Sequence, residues 1–304
     1  MPRIFTPFAI LFLAFCLRAE NPLIFHLEND SFSNNDREYT HGLELAYVHN
    51  HKIKDTGEKA QSLEFSIGQE IYTPIHQGVS FIMEDERPYA SLAYGSVTNQ
   101  WYQSNDYQAL GLRFGMVGPS SGGQDFQNAA HDLLGFSRRS GWNNQIEDEF
   151  VLSLEWEHRH RIYETRNFGF IGYVITRLGN LHVDGRLGLQ TRIGYNLPQD
   201  FGFVDLASVG HPRSIKSENT NHSFYFFADA HYNYVFHNLF LDGNVFANSM
   251  HSVKSKAWIN QMSLGFALQR DSISLSYSHI FRSKEYKTQL KSHDFGSLSI
   301  EYLY

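Results

Sequence analysis

The chain has 304 residues, with 25 Lys and Arg against 32 Asp and Glu for a net charge of −7. No Lys/Arg cluster stands out, which excludes nucleic acid as a partner, since binding a phosphate backbone rests on such clusters. Beyond the N-terminal segment no run of about 18 apolar residues occurs, so helical membrane spans are excluded. The 25 Phe and 17 Tyr, spread over alternating segments, leave membrane-crossing strands open.

Arg3, the apolar stretch 4–17 and the small Ala19 read as an export signal over residues 1–19, followed by one β-barrel domain over residues 20–304. Cys16 is the single cysteine, so the exported part would carry none and would cross an oxidising compartment without stray disulfides. Apolar and polar residues then alternate with period two in segments such as 43–48, 63–67, 110–114, 151–157, 183–187, 273–277 and 298–302. A soluble β-sandwich would show the same alternation in strands of about 5 or 6 residues. The segments here approach the roughly 9–11 residues that a tilted strand needs to span a bilayer.

Counting along the chain predicts strands at 22–29, 38–49, 61–71, 91–103, 107–117, 149–161, 183–194, 223–235, 239–247, 256–269, 272–281 and 294–303. The segment 168–177 also looks strand-like. It is set aside as a periplasmic-side or interior piece, because including it would make the number odd and would put the long connection 196–222 in the periplasm, where turns are usually short. The expected fold is therefore all-β, a 12-stranded antiparallel transmembrane β-barrel with a short helix in an extracellular loop. On this count Asn29, Asp30 and Thr40 fall in the first outer connection, Arg87 in the second and His131 in the third.

Ser120, Ser121, Gly122 and Gly123 read as a helix entrance and Gly135 as an exit, so 124–134 is expected to form three turns of helix in the third outer loop. Gln127 and His131 then share one face, while Phe126, Ala130, Leu133 and Leu134 make an apolar side. Alone, such a histidine equally fits a helix that merely covers the barrel. His158 and His160, spaced for one strand face, are expected to be a polar pair in the lumen rather than metal ligands.

Glu28-Asn29-Asp30-Ser31-Phe32 and Tyr39-Thr40-His41-Gly42-Leu43 gather a carboxylate, an amide and hydroxyls around one loop. Such oxygens suit a hard cation such as Ca²⁺, and Asn-Asp between strands also makes an ordinary turn. Together with the block from Gln124 to Phe136, which carries Gln127 and His131, and with Gly141-Trp142-Asn143-Asn144-Gln145, these stretches in this order resemble the outer-membrane lipid A 3′-O-deacylase family (LpxR) over most of the exported chain.

The resemblance implies a bacterial outer-membrane enzyme, a carboxylic ester hydrolase that acts as a monomer on lipid A of outer-leaflet lipopolysaccharide, with Ca²⁺ as cofactor and a histidine that activates water. The residues that match the family's motif are Asn29, Asp30, Thr40, Gln127 and His131. Chemistry distributes their roles: His131 as base, Asp30 and Thr40 as oxygen donors to the cation, Asn29 as oxyanion donor or orienter, and Gln127 as the group that positions substrate or water. Arg87 is the expected contact to the substrate's phosphates, with Arg138, Arg139 or the loop 284–291 as the alternatives. Asp148, Glu149 or a backbone carbonyl is expected to orient the imidazole. No Gly-x-Ser-x-Gly elbow occurs to support a serine nucleophile. Two rival readings are a barrel esterase acting on glycerophospholipids and a non-enzymatic barrel of porin type with a plugging loop.

Overall fold

The computed structural model describes residues 21–33, 37–51, 59–212 and 222–303. Twelve strands close into one antiparallel barrel: β1 (Pro22–Asn29), β2 (Glu38–His51), β3 (Lys59–Thr73), β4 (Ala90–Gln103), β5 (Asp106–Val117), β6 (Glu149–Glu164), β7 (Phe168–Gly179), β8 (His182–Tyr195), β9 (His222–Asn238), β10 (Trp258–Arg270), β11 (Ile273–Arg282) and β12 (His293–Leu303). Each strand pairs with its neighbours in sequence, and Pro22 opposite Leu303 begins the ladder that joins β1 to β12.

The pleat sorts the side chains in a sense opposite to that of a water-soluble barrel. Along β6, Phe150, Leu152, Leu154 and Trp156 are exposed on the outside, whereas Glu155, Glu157 and Arg159 are buried inside. Leu110, Leu112 and Phe114 of β5, Leu187 and Leu189 of β8, and Met262, Leu264 and Leu268 of β10 extend the apolar belt. An apolar exterior around a polar interior is stable only where the surroundings are not water, which is the pattern of a membrane-spanning barrel. His158 and His160 depart from the expectation, because Glu157 and Arg159 take the lumen and the two rings lie on the outside, each near Asp106 (3.4 and 2.9 Å).

The strand count holds, but two assignments within it change. The segment set aside above is β7, paired along its length with β6 and β8. The run 239–247 is no strand: Asn238 accepts a hydrogen bond from the Phe240 N–H at 3.1 Å and starts the short helix Leu239–Asp242. Strands β8 and β9 therefore run opposite to the expected directions, and the chain leaves β8 after Tyr195 at the end of the barrel where β1 begins and β12 finishes. The short-turn rule misled because this connection is no external loop.

Its described part, 196–212, folds into the lumen, where it satisfies charges that the barrel wall buries. Arg159 donates to the carbonyls of Phe201 (3.2 Å) and Phe203 (2.9 Å). Asp205 meets Arg186 at 3.1 Å, Glu157 accepts from the Val209 N–H at 2.8 Å, and Glu64 accepts from the His211 N–H at 3.0 Å. The Leu206 N–H donates to Glu28 at 3.2 Å. At the opposite mouth Phe240 stacks on Tyr72, 4.3 Å between centroids, and Leu239, Phe240 and Leu241 are fully buried. The lumen is thus obstructed from both ends, with a cavity between them lined by Glu28, Glu70, His182, Asp184 and Arg186.

Because Cys16 is the single cysteine, single cysteines placed in a Cys16→Ser background test this topology. A membrane-impermeant maleimide on intact cells should label Ser140→Cys and spare Asn105→Cys and Gln199→Cys until the membrane is permeabilised. Labelling of Gln199→Cys on intact cells would refute the revised strand directions.

Candidate active site

One row of paired residues organises the outer surface of the wall at the end opposite the termini. Asn29 of β1 pairs with Gly296 of β12 on one side and with His41 of β2 on the other. His41 pairs with Ile71 of β3, and Ile71 with Ser91 of β4. Alternation puts this row on the outside of the barrel. The ladder between β2 and β3 slips between Tyr39 and His41, a bulge that leaves Thr40 as an extra residue. Tyr39 turns inward to Tyr72 and Phe295, 5.1 and 4.9 Å between centroids, and the Thr40 hydroxyl lies 2.6 Å from that of Thr73.

The third long connection covers part of this row. Its helix α1 (Gly123–Leu134) follows the turn Pro119–Ser121 and ends at Gly135, whose φ of 76° is the left-handed cap that glycine adopts without strain. The Ser121 hydroxyl bonds that of Ser91. A Cβ on Gly123 would stand 2.3 Å from the Ser91 Cβ, so only glycine lets the helix approach the wall this closely. Trp142 is buried against Ile71 and Tyr89. Phe126 stacks on His41 with centroids 4.9 Å apart. On the far side the turn Asp30–Ser33 lies along β12, with Phe32 over Gly296. Asn29 and His41 thus form the strip of wall between this turn and α1, the candidate cleft.

Three polar side chains around the cleft have orientations fixed by their partners. The indole N–H of Trp142 can only donate, so the atom it meets at 2.8 Å is Gln127 Oε1. The Gln127 amide nitrogen is buried with no hydrogen-bond partner. A backbone carbonyl can only accept, so Ser137 O, 2.7 Å from His131 Nδ1, places the ring proton on Nδ1 and leaves Nε2 the basic nitrogen. The backbone N–H of Ser31 donates to Asn29 Oδ1 at 2.8 Å, so the Asn29 nitrogen keeps its protons for another partner.

The orienter of His131 is thus a carbonyl of its own loop. Asp148 instead holds Ser120 through its backbone N–H and hydroxyl (2.7 and 2.6 Å), and Glu149 holds Asn180 and the Phe246 N–H (2.7 and 2.9 Å); both anchor the loop's base. Asp30 is buried and accepts from the Arg37 N–H at 2.7 Å. Among the described residues no group of three or more His, Cys, Asp or Glu is arranged to hold a metal, so a cation here would lean on single oxygens. Arg138 pairs with Asp132 at 2.5 Å and holds its carboxyl below the usual carboxylate range by donating to it.

Arg87 does not join this cleft. Its side chain is 0% exposed, 3.6 Å from Glu38 and 3.5 Å from Glu285, and lies over the Tyr72 ring. It roofs the lumen, so the expected phosphate contact is not carried forward. Trp142 and His41 were missed as site residues. Both stand in the quoted motifs, but only the pairing register and the loop packing bring them to the cleft.

Comparison with known proteins agrees with this architecture. The family model described as Outer membrane protein LpxR matches residues 5–304. The solved structure of LpxR from Salmonella typhimurium superposes with a TM-score of 0.79 at 23% identity, over 93% of this chain and 100% of that one. The β domain of the Bordetella autotransporter BrkA gives a TM-score of 0.50 at 9% identity, over 94% and 99% of the two chains. No curated protein matches this sequence.

Removing Arg87 should act on stability, because it takes a cation from beside buried Glu38 and leaves Glu285 with Arg282 as its close arginine. Arg87→Met is expected to destabilise the barrel by about 3 kcal/mol or more, read as a lower urea midpoint for loss of the heat-modifiable band. If Arg87 instead contacts substrate, the midpoint will be unchanged and only KM will rise.

Proposed function

We propose that this chain, which belongs to the LpxR family of outer membrane proteins, is a lipid A deacylase that hydrolyses the 3′-linked acyl or acyloxyacyl ester with His131 as general base. The observation that carries the reading is the pair Gln127 and His131, one helical turn apart, each with one side-chain atom held by a structural bond and the other left for a ligand. Their place supports a lipid substrate. The cleft opens on the outer wall above Phe25, Leu27, Leu43 and Leu45, which β1 and β2 turn outward, so acyl chains can lie along the wall while the ester reaches the polar row. A diffusion pore would need an open lumen, and this one is obstructed.

In the reaction, His131 Nε2 takes a proton from water as the oxygen attacks the ester carbonyl, and the Nδ1 bond to Ser137 keeps the ring aligned. The carbonyl oxygen gains negative charge, to which the Gln127 and Asn29 amide N–H groups are suited to donate hydrogen bonds. As the acyl carbon–oxygen bond to the sugar breaks, the imidazolium returns its proton to the departing sugar oxygen, so acid and free hydroxyl are the products. The resemblance also implies Ca²⁺, and the oxygen donors available fit a hard cation better than a soft one. Asp30 and Thr40 would hold it. When bound it supplies positive charge beside the developing oxyanion. With one carboxylate among its ligands the site would be weak and exchangeable.

Expression in a Gram-negative host followed by mass spectrometry of its lipids tests the activity. Lipid A should lose its 3′ acyl substituent. Loss of fatty acid from glycerophospholipids alone would favour the phospholipid esterase. Within the active protein, His131→Ala should lower turnover by about 10²- to 10⁴-fold in a barrel that remains heat-modifiable; retained turnover would remove the base assignment.

The metal is tested separately. A strong chelator should abolish hydrolysis in washed membranes, and Asp30→Asn should weaken the response to Ca²⁺ so that excess ion partly restores activity. Activity that survives chelation and ignores added Ca²⁺ would sink the metal-assisted mechanism and leave the rest of the reading standing.

A further inference from the structure

We infer that His41 is a substrate-binding residue of the cleft, its Nε2 hydrogen-bonding an oxygen of the bound acyl ester. The inference rests on the deacylase reading for the identity of the ligand, and on the geometry of the wall for the residue. His41 occupies the position beside Asn29 in the paired row, and its ring is held against Phe126, the neighbour of Gln127 in α1. Nε2 of His41 is buried and has no hydrogen-bond partner.

A purely structural role does not account for this residue. As a platform for Phe126, a leucine or phenylalanine would serve as well, and the outward positions nearby, Leu43, Leu45 and Ile71, are apolar. An imidazole on a lipid-facing wall carries polar atoms that lipid cannot satisfy. A buried polar atom without a partner is costly unless a water, an ion or a ligand completes it. Two such nitrogens, of Gln127 and His41, stand on helix and wall, linked through Phe126, which neighbours Gln127 and stacks on His41. An ester offers oxygens that accept from both. His41 also stands next to Thr40, the extra residue of the bulge.

Lipid A binding to the detergent-solubilised full chain in a His131→Ala background separates binding from turnover. Relative to that background, adding His41→Phe, which keeps an aromatic ring against Phe126 and removes the nitrogen, should weaken binding about five- to tenfold, the usual worth of one hydrogen bond. Adding His41→Gln, whose amide can still donate, should restore most of it. Equal affinity for the Phe and His forms would overturn the inference. Failure of the His131→Ala protein to bind lipid A would overturn the ligand named here. Turnover of lipid A by the wild-type protein, measured in parallel, judges the deacylase reading on its own: its absence with the binding difference intact sinks only that reading.

Discussion

Closure of β1 onto β12 is the constraint from which the rest of the structure follows. In a medium that offers no hydrogen bonds, every strand must pair on both edges, so a sheet survives only as a closed cylinder. Closure at this strand number turns alternate side chains into a narrow interior, and many of them are charged: Glu28, Glu64, Glu157, Arg159 and Arg186. Charges buried in such a space persist only when paired or hydrogen-bonded. The connection 196–212 meets that demand by bringing backbone amides, carbonyls and Asp205 to them. Its apex reaches close under the wall behind the site, where the Leu206 side chain lies 2.6 Å from the place a Cβ on Gly42 would take.

An obstructed interior sends ligand chemistry to the exterior. The wall there is apolar by necessity, and a polar cleft on it needs a local break in the strand alternation. The bulge after Tyr39 provides the break: Tyr39 stays in the lumen among aromatic rings although His41, two residues on, faces outward, and Thr40 is the extra residue between them. The turn at Asp30 and the helix α1 then wall in a strip of polar residues that would otherwise face hydrocarbon. Close contact at Gly123 and the buried Trp142 make the helix part of the wall rather than a mobile cover.

The three oriented side chains share one device. Asn29, Gln127 and His131 each give one atom to a partner whose chemistry permits a single role, a backbone N–H, an indole N–H and a carbonyl. The remaining atom then has a defined character, donor for the amides and acceptor for the imidazole, before any substrate arrives. Preorganisation of this kind is what a hydrolytic site needs, since dipoles aimed in advance need no reorientation as charge develops.

Period-two alternation and the length of its segments were enough to read a membrane barrel, because strand pleat is local and the bilayer imposes its own length. The helix from 124 to 134 was readable from its flanking glycines for the same reason, and the spacing of Gln127 and His131 on it is fixed by helical geometry alone. Other features depended on partners distant in sequence. Whether 168–177 or 239–247 forms a strand is decided by pairing and by the Asn238 cap, and the fate of 196–212 by buried charges on β1, β3, β6 and β8. Arg87 looks like a free cation in a loop, yet Glu38 and Glu285, far away along the chain, enclose it. His41 and Trp142 gain their meaning only from register and loop packing, since the bond that orients Gln127 and the ring that stacks on Phe126 exist only once the cylinder has closed and the helix has settled on its outer face.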